Sequence, residues 1–338
     1  MVGSAKAAGA SGRRMGAAAP ASPGKPLEIE GFFDLRFYTP LGGLIARALA
    51  RTRATPNAVS WASVAAAAVA ALSYARTTLA GALVATVLFL LSGVLDSADG
   101  QLARATGRTS ELGETLDGFC DTLSFGLVYL AAIWLWVTTL GGPWPVALAV
   151  GVAAGLSHSI QSSLVDYERQ LFVHIVAGGN RIAREDPAAL GAEKARARAR
   201  GEGWWGQALR GMRIGYCRRQ RRWLSSSTAL LGAYGRLASD PGRRSMFADA
   251  YRRTMPPMLK AWAVLAPNSH TLGVLGAGLA PILLPGWPIA RWGLPLVFGY
   301  DLLLNVPMLL LIGAQRRIDA RLVRDVATPP PHAAETAR

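Results

Sequence analysis

Cysteine is almost absent from this chain of 338 residues, with only Cys120 and Cys217, so no disulfide framework is expected to hold it together. Charge is scarce as well: 17% of residues are charged and 51% are hydrophobic, with the apolar residues gathered into long uncharged runs. That distribution excludes an ordinary soluble core, which would show short periodic patches. No strand-like alternation argues for a sheet, and no fixed-period repeat argues for a solenoid. The first 27 residues contain no acid and no apolar core of the signal-peptide kind.

What is present reads as an all-α integral membrane protein. Six runs of roughly bilayer-spanning length lie near 57–75, 77–95, 122–140, 146–165, 268–287 and 292–314, each close to the ~20 residues a helical span needs. Pro281, Pro285, Pro295 and Pro307 interrupt the last two. Lys and Arg are retained on the cytoplasmic side of membrane proteins. Between Arg181 and Lys260 there are 18 Lys and Arg against 6 Asp and Glu, a net of +12, so this connection is expected inside. Arg47, Arg51 and Arg53 before the first run, and Arg316 and Arg317 after the last, place both termini there too. The overall charge of +15 then points to anionic membrane lipids as partners of the basic loop, and away from nucleic acid.

The composition divides the chain further. Residues 1–27, rich in Ala, Gly, Ser and Pro, read as a disordered tail. Residues 29–53 carry Phe32, Phe33, Leu35, Phe37, Leu41, Leu44, Ile45 and Leu49 at mixed helical spacing and read as an interfacial amphipathic helix. A six-helix domain over 54–317 includes a basic insertion at about 166–260, and 318–338 form a tail. In the insertion, Trp204, Trp205, Trp223 and Tyr234 among arginines suggest helices lying against the headgroups.

The stretch DSADGQLARATGRTSELGETLDGFCD, residues 96–121, places four aspartates between two span-length runs. On a helix, Asp96, Asp99, Gly100, Ala103 and Arg104 share an arc of about 140°, and Gly113, Asp117 and Asp121 step along one stripe that continues to Ser124. Gly107, Thr109 and Ser110 between the halves are turn and cap formers that let the chain reverse. Four converging carboxylates repel one another and need cations. Oxygen ligands suit Mg²⁺ or Mn²⁺ better than zinc, and two such ions would serve phosphoryl chemistry. Without side chains at Gly100 and Gly113 a pyrophosphate can approach the backbone, and Arg104 offers a bidentate phosphate contact.

The pattern D-x-x-D-G-x-x-A-R, eight residues, then G-x-x-x-D-x-x-x-D resembles the signature of the CDP-alcohol phosphatidyltransferase family. The resemblance implies a six-helix membrane enzyme of phospholipid biosynthesis with its active site facing the cytoplasm. An acceptor hydroxyl would attack a CDP-linked donor and release CMP. By that resemblance Asp96, Asp99, Asp117 and Asp121 hold divalent metal, with Asp121 also the general base. Gly100, Ala103, Arg104 and Gly113 line the nucleotide and pyrophosphate site, and Asn57, in Thr55-Pro56-Asn57, helps hold the cytidine.

The acceptor is not legible. Leu123-Ser124-Phe125-Gly126 resembles phosphatidylserine synthases, whereas Glu111-Leu112-Gly113-Glu114 and Cys120-Asp121 resemble choline and ethanolamine phosphotransferases, and inositol-type acceptors stay open. His158, Gln161, Ser162, Asp166 and Arg169 share an arc near the end of the fourth run. They read equally as an acceptor site, centred on His158, Asp166 and Arg169, or as a polar cap where a helix leaves the membrane. Asp301, inside the sixth run, is expected to pair with another helix, Cys120 to pack, and the Trp204-Trp205 pair to anchor at the interface. A homodimer is left open. Outside the enzyme class stand an intramembrane cation transporter, which the clustering of all four aspartates toward one side disfavours, and a non-catalytic scaffold.

Overall fold

The computed structural model describes residues 33–327 apart from 180, 285, 287 and 288. The expected tail over 1–27, the first residues of the 29–53 helix and the end of the 318–338 tail lie outside the described residues. Among the described residues every regular element is helical.

A π-helical turn at Asp34–Tyr38 leads into α1 (Thr39–Leu49). On α1 Leu41 and Leu44 are exposed, while Gly42, Gly43 and Ala46 are buried. The two glycines allow close approach to the segment that carries the first aspartates. A Cβ on Gly42 would lie 2.8 Å from Ser97 Oγ, and Gln101 Nε2 donates to the Thr39 carbonyl at 3.0 Å.

Four long helices follow: α2 (Pro56–Tyr74), α3 (Leu79–Thr106), α4 (Glu111–Leu140) and α5 (Trp144–Ala177). Hydroxyl caps start three of them, with Thr55, Thr78 and Ser110 accepting from the amides of Ala58, Gly81 and Gly113. Left-handed glycines at 107, 141 and 178 end α3, α4 and α5. At 1.5 Å per residue α3, α4 and α5 run about 42, 45 and 51 Å, well past a ~30 Å hydrocarbon core. Each is longer than a bilayer's apolar core requires, and the aspartates lie in the last part of α3 and the first part of α4. Buried Ala67, Ala70, Ala85, Ala132, Ala147 and Ala154 form much of the bundle core, the small-residue packing that lets membrane helices approach without a hydrophobic drive.

The basic insertion folds into α6 (Arg181–Arg184), α7 (Pro187–Ala199), α8 (Trp204–Trp223), α9 (Ser225–Arg236), α10 (Pro241–Thr254) and α11 (Pro256–Trp262). The chain returns through α12 (Pro267–Leu283), α13 (Ile289–Leu303) and α14 (Asn305–Ala327). The insertion has a core of its own. Leu164, Leu171 and Phe172 of α5 pack with Leu230, Tyr251, Met255 and Trp262, and with Met308, Ile312 and Leu322 of α14. It is a helical cap around two projecting helices. Of the aromatics expected at the headgroups, Trp204 is 78% exposed, but Tyr234 is buried and donates to the Ile175 carbonyl at 3.2 Å.

Five stretches are long and apolar enough to cross a membrane: α2, α3, α4, α5 and Trp292–Asp325, which joins α13 and α14 across a single turn. The fifth run expected, over 268–287, is α12, whose 17 residues with Pro281 inside reach only the lower limit of a span. The cysteines are free and buried, as expected, and burial pushes the Cys217 thiol up to about 12.

Candidate active site

The reversal between α3 and α4 is built from local chemistry. Gly107 takes φ +67° and the Arg108 amide reaches back to the Ala103 carbonyl at 2.9 Å, closing α3 with the 6→1 bond of a Schellman turn. Three residues later Ser110 caps α4, its hydroxyl accepting from the Gly113 amide at 3.0 Å. The hairpin brings Asp96, Asp99 and Asp117 together, with a carboxylate oxygen of each within 4.8 Å of the others. Asp99 is buried at 3% exposure, whereas Asp96 and Asp117 are half-buried. Asp121 does not join this set; it stands one turn, about 6 Å, farther along α4.

Around the carboxylates the other residues singled out in the sequence fall into place unevenly. Gly100 faces open space, since a Cβ there would meet only Arg104 Nη1, at 3.4 Å, and Arg104 itself is exposed. Gly113 is more crowded: its Cβ would lie 2.9 Å from Ser110 Oγ and 3.9 Å from Asn57 Oδ1. Asn57, in the first turn of α2, therefore faces the start of α4, and Ala103 is half-exposed on α3.

Ser60 is the residue that sequence reasoning missed. It lies three positions beyond Asn57 on α2, is buried, and its hydroxyl donates to Asp99 Oδ2. The available signal was its place on the same helical face as Asn57.

The three acceptor candidates on α5 are not gathered at one point. Asp166 Oδ2 accepts from Gln170 Nε2 at 2.7 Å and from the Tyr216 hydroxyl of α8 at 2.9 Å. Burial, then the Asp166 carboxylate, pushes Tyr216 well above the usual phenol range. Arg169 is half-buried, and its Nη2 has no hydrogen-bond partner among the described residues; Ser162 Oγ on the same helix is in the same position. His158 lies two turns deeper than Asp166 and belongs to another cluster.

That cluster joins four helices in the bundle interior. His158 Nδ1 is 2.8 Å from the Tyr129 hydroxyl, which donates to Asp301 Oδ2. His270 Nδ1 lies 2.6 Å from Asp301 Oδ1, and Gln161 Nε2 donates to the Asp301 carbonyl at 3.0 Å. Because the single Tyr129 proton goes to Asp301, His158 must donate to Tyr129 through Nδ1. The expected interhelical partner of Asp301 is thus a hydrogen-bonded set of two histidines and a tyrosine. His158, His270 and Asp301 bring ligand atoms within 4.8 Å, but the imidazoles stack at 3.7 Å with 10° between planes. An ion about 2.1 Å from a nitrogen of each, lying in both ring planes, would hold the centroids much farther apart. The arrangement suits proton sharing, not coordination.

The carboxylate set of α3 and α4 does fit a hard divalent ion. It offers oxygen ligands alone, at distances one ion can span, beside an open glycine face and an arginine.

Comparison with known proteins bears on the same segment. The family model described as CDP-alcohol phosphatidyltransferase matches residues 53–171. A CDP-diacylglycerol–serine O-phosphatidyltransferase of Mycobacterium leprae (strain TN) is 30% identical over 130 residues, covering 36% of this chain and 41% of that protein. The chain thus spans less than half the length of this relative. No solved structure matches. The matched segment opens three residues before α2 and closes within α5, taking in Asn57, Ser60 and the whole carboxylate hairpin; over this third of the chain the sequence is similar to the CDP-alcohol phosphatidyltransferase family.

Proposed function

We propose that this protein is a metal-dependent membrane transferase that moves a substituted phosphate from a CDP-linked donor to an acceptor hydroxyl and releases CMP. The observation that carries the reading is the meeting of Asp96, Asp99 and Asp117 within 4.8 Å, beside the open face of Gly100. In this reading these three aspartates hold Mg²⁺ or Mn²⁺, probed as one or two ions. When bound, the ions neutralise charge on the donor's pyrophosphate. Arg104, exposed next to Gly100, takes a phosphate oxygen, and Asn57, facing Gly113, borders the nucleotide.

In the same reading Asp121, outside the close triplet but one turn along the same stripe, acts on the acceptor. Its carboxylate accepts the hydroxyl proton as the acceptor oxygen bonds to phosphorus. The bond from phosphorus to the bridging oxygen breaks, and CMP leaves with that electron pair. On α5, Ser162 Oγ and Arg169 Nη2 are buried without hydrogen-bond partners among the described residues. Unsatisfied buried polar groups are costly, and these two suit a polar acceptor with an anionic group. CDP-diacylglycerol and serine, both named in the relative from M. leprae, are the donor and acceptor to test first.

The test is CMP release by the detergent-purified protein from CDP-diacylglycerol, or from a CDP-linked small alcohol where diacylglycerol is the acceptor, with Mn²⁺ or with excess chelator, across serine, inositol, inositol phosphate, glycerol phosphate and diacylglycerol. Release that depends on both metal and one acceptor supports the reading. Full activity in chelator sinks the metal role. No release with any donor and acceptor returns the carboxylates to cation transport or to a non-catalytic scaffold.

A further inference from the structure

Asp99 is the most buried carboxylate of the set, and the hydroxyl that meets it comes from another helix. Ser60 Oγ on α2 donates to Asp99 Oδ2 on α3, with both residues nearly inaccessible at 4% and 3% exposure. The same hydroxyl has a second acceptor within reach, the Pro56 carbonyl at 3.3 Å one turn back on its own helix. A serine in the middle of an apolar helix ordinarily settles on that local carbonyl. Here the ionisable oxygen of Asp99 is the stronger acceptor, so the proton is directed across the helix interface.

We infer that Ser60 is a positioning residue for the metal site: by occupying Asp99 Oδ2, it turns Oδ1 toward Asp96 and Asp117. This rests on the reading of Asp99 as a metal ligand. Two physical effects act together. A carboxylate restrained by one hydrogen bond loses less freedom when an ion binds. Its remaining oxygen is also presented in one orientation, which favours monodentate coordination. Partners of this kind to metal-ligating groups are typically worth 10–100-fold in affinity. Ser60 is placed by α2 alone, whose N-terminal turn is fixed by the Thr55 cap and Pro56 and also carries Asn57. The metal site and the nucleotide edge would thus be set by one rigid element.

The inference is tested by Mn²⁺ titration of the full-length protein in detergent, without substrate, reading free Mn²⁺ by electron paramagnetic resonance. Ser60→Ala is expected to weaken Mn²⁺ binding by about 10-fold, and Ser60→Thr to keep affinity near wild type. Ser63→Ala is the control. Ser63 lies on the same helix and donates only to the Ser60 carbonyl at 2.8 Å, so its affinity is expected within twofold of wild type. If Ser60→Ala does not fold, Ser60→Cys substitutes a weak donor in nearly the same volume and is expected to show the same loss. Wild-type affinity in whichever of Ser60→Ala and Ser60→Cys folds overturns the positioning role while leaving the metal reading intact. Failure of the wild-type protein to bind Mn²⁺ overturns the metal reading and this inference with it.

Discussion

Gly100 and Gly113 occupy matching places in the sequence pattern, yet the structure separates them. The space beside Gly100 is open apart from the tip of Arg104, so an alanine there meets nothing that the fold must move. Gly100→Ala is expected to fold with no loss of thermal stability, since alanine suits a helix interior better than glycine, and to lose donor affinity in calorimetry. Unchanged donor binding would show that no phosphate approaches this face. Gly113→Ala reports less cleanly, because its methyl group would press on the Ser110 cap that starts α4. The aspartates divide as well. Asp121→Asn is expected to abolish turnover and spare donor and Mn²⁺ binding, whereas Asp96→Asn is expected to lose all three. Equal losses of binding in both variants would make Asp121 chiefly a ligand. The four aspartates and their glycines were legible because their spacing matches helix geometry. Ser60 was not: a serine between Val59 and Trp61 looks like any small residue of an apolar run, and its role appears only when α2 is laid against α3.

Helices were legible where caps and uncharged runs coincide, as at Thr55, Thr78 and Ser110. They were less so after the insertion, where prolines break the pattern and α12 comes out shorter than its run of apolar residues suggested. The sequence marked His158 and Asp301 as unusual without pairing them, because their contact spans more than 140 residues and passes through Tyr129. The pairing predicts how α12 and α13 are held to α4 and α5. Asp301 accepts from Tyr129 and faces His270 Nδ1 with its other oxygen. Asparagine would turn an amide donor toward one of these donors. Tyr129→Phe removes the hydroxyl that both His158 Nδ1 and Asp301 Oδ2 use, so two buried groups lose a partner at once. Tyr129→Phe is therefore expected to destabilise the bundle at least as much as Asp301→Asn, with losses of about 1–3 kcal/mol for each buried group left unsatisfied. Thermal unfolding of the two variants in one detergent gives the order, and a clearly larger loss in Asp301→Asn would mean that the carboxylate, not the Tyr129 hydroxyl, organises the cluster.

On the scale of the whole molecule, the insertion reads in sequence only as basic and long, since its core exists only once α5 and α14 project beyond the bundle to be wrapped. Its position gives it a task at the start of α4. Arg213 of α8 bonds Glu111 Oε2 through Nη1 at 3.1 Å and lies 3.5 Å from Glu185 through Nη2. Arg184 is 3.8 Å from Glu111, and Arg181 is 3.9 Å from Glu114. For Arg181, desolvation works against the charge, but Asp166, Glu185 and Glu114 together hold the guanidinium above its ordinary value. These pairs tether the turn that contains Gly113, while the close carboxylate triplet lies deeper and is fixed by α2 and α3. Most of them are exposed enough for solvent to screen, and Arg213 is the exception, with a side chain only 12% accessible. Arg213→Ala should then cost about 1 kcal/mol of tethering, roughly a fivefold loss of donor affinity, with Mn²⁺ affinity unchanged. The wild-type protein should keep most of this advantage as salt is raised, because a pair shielded from solvent is screened far less than the exposed pairs around it. Donor titrations of both proteins at low and high salt decide it: a variant that binds donor as tightly as wild type at low salt would leave the cap without influence on the nucleotide side of the site. A variant that loses Mn²⁺ and donor together would place that influence in the carboxylate cluster itself.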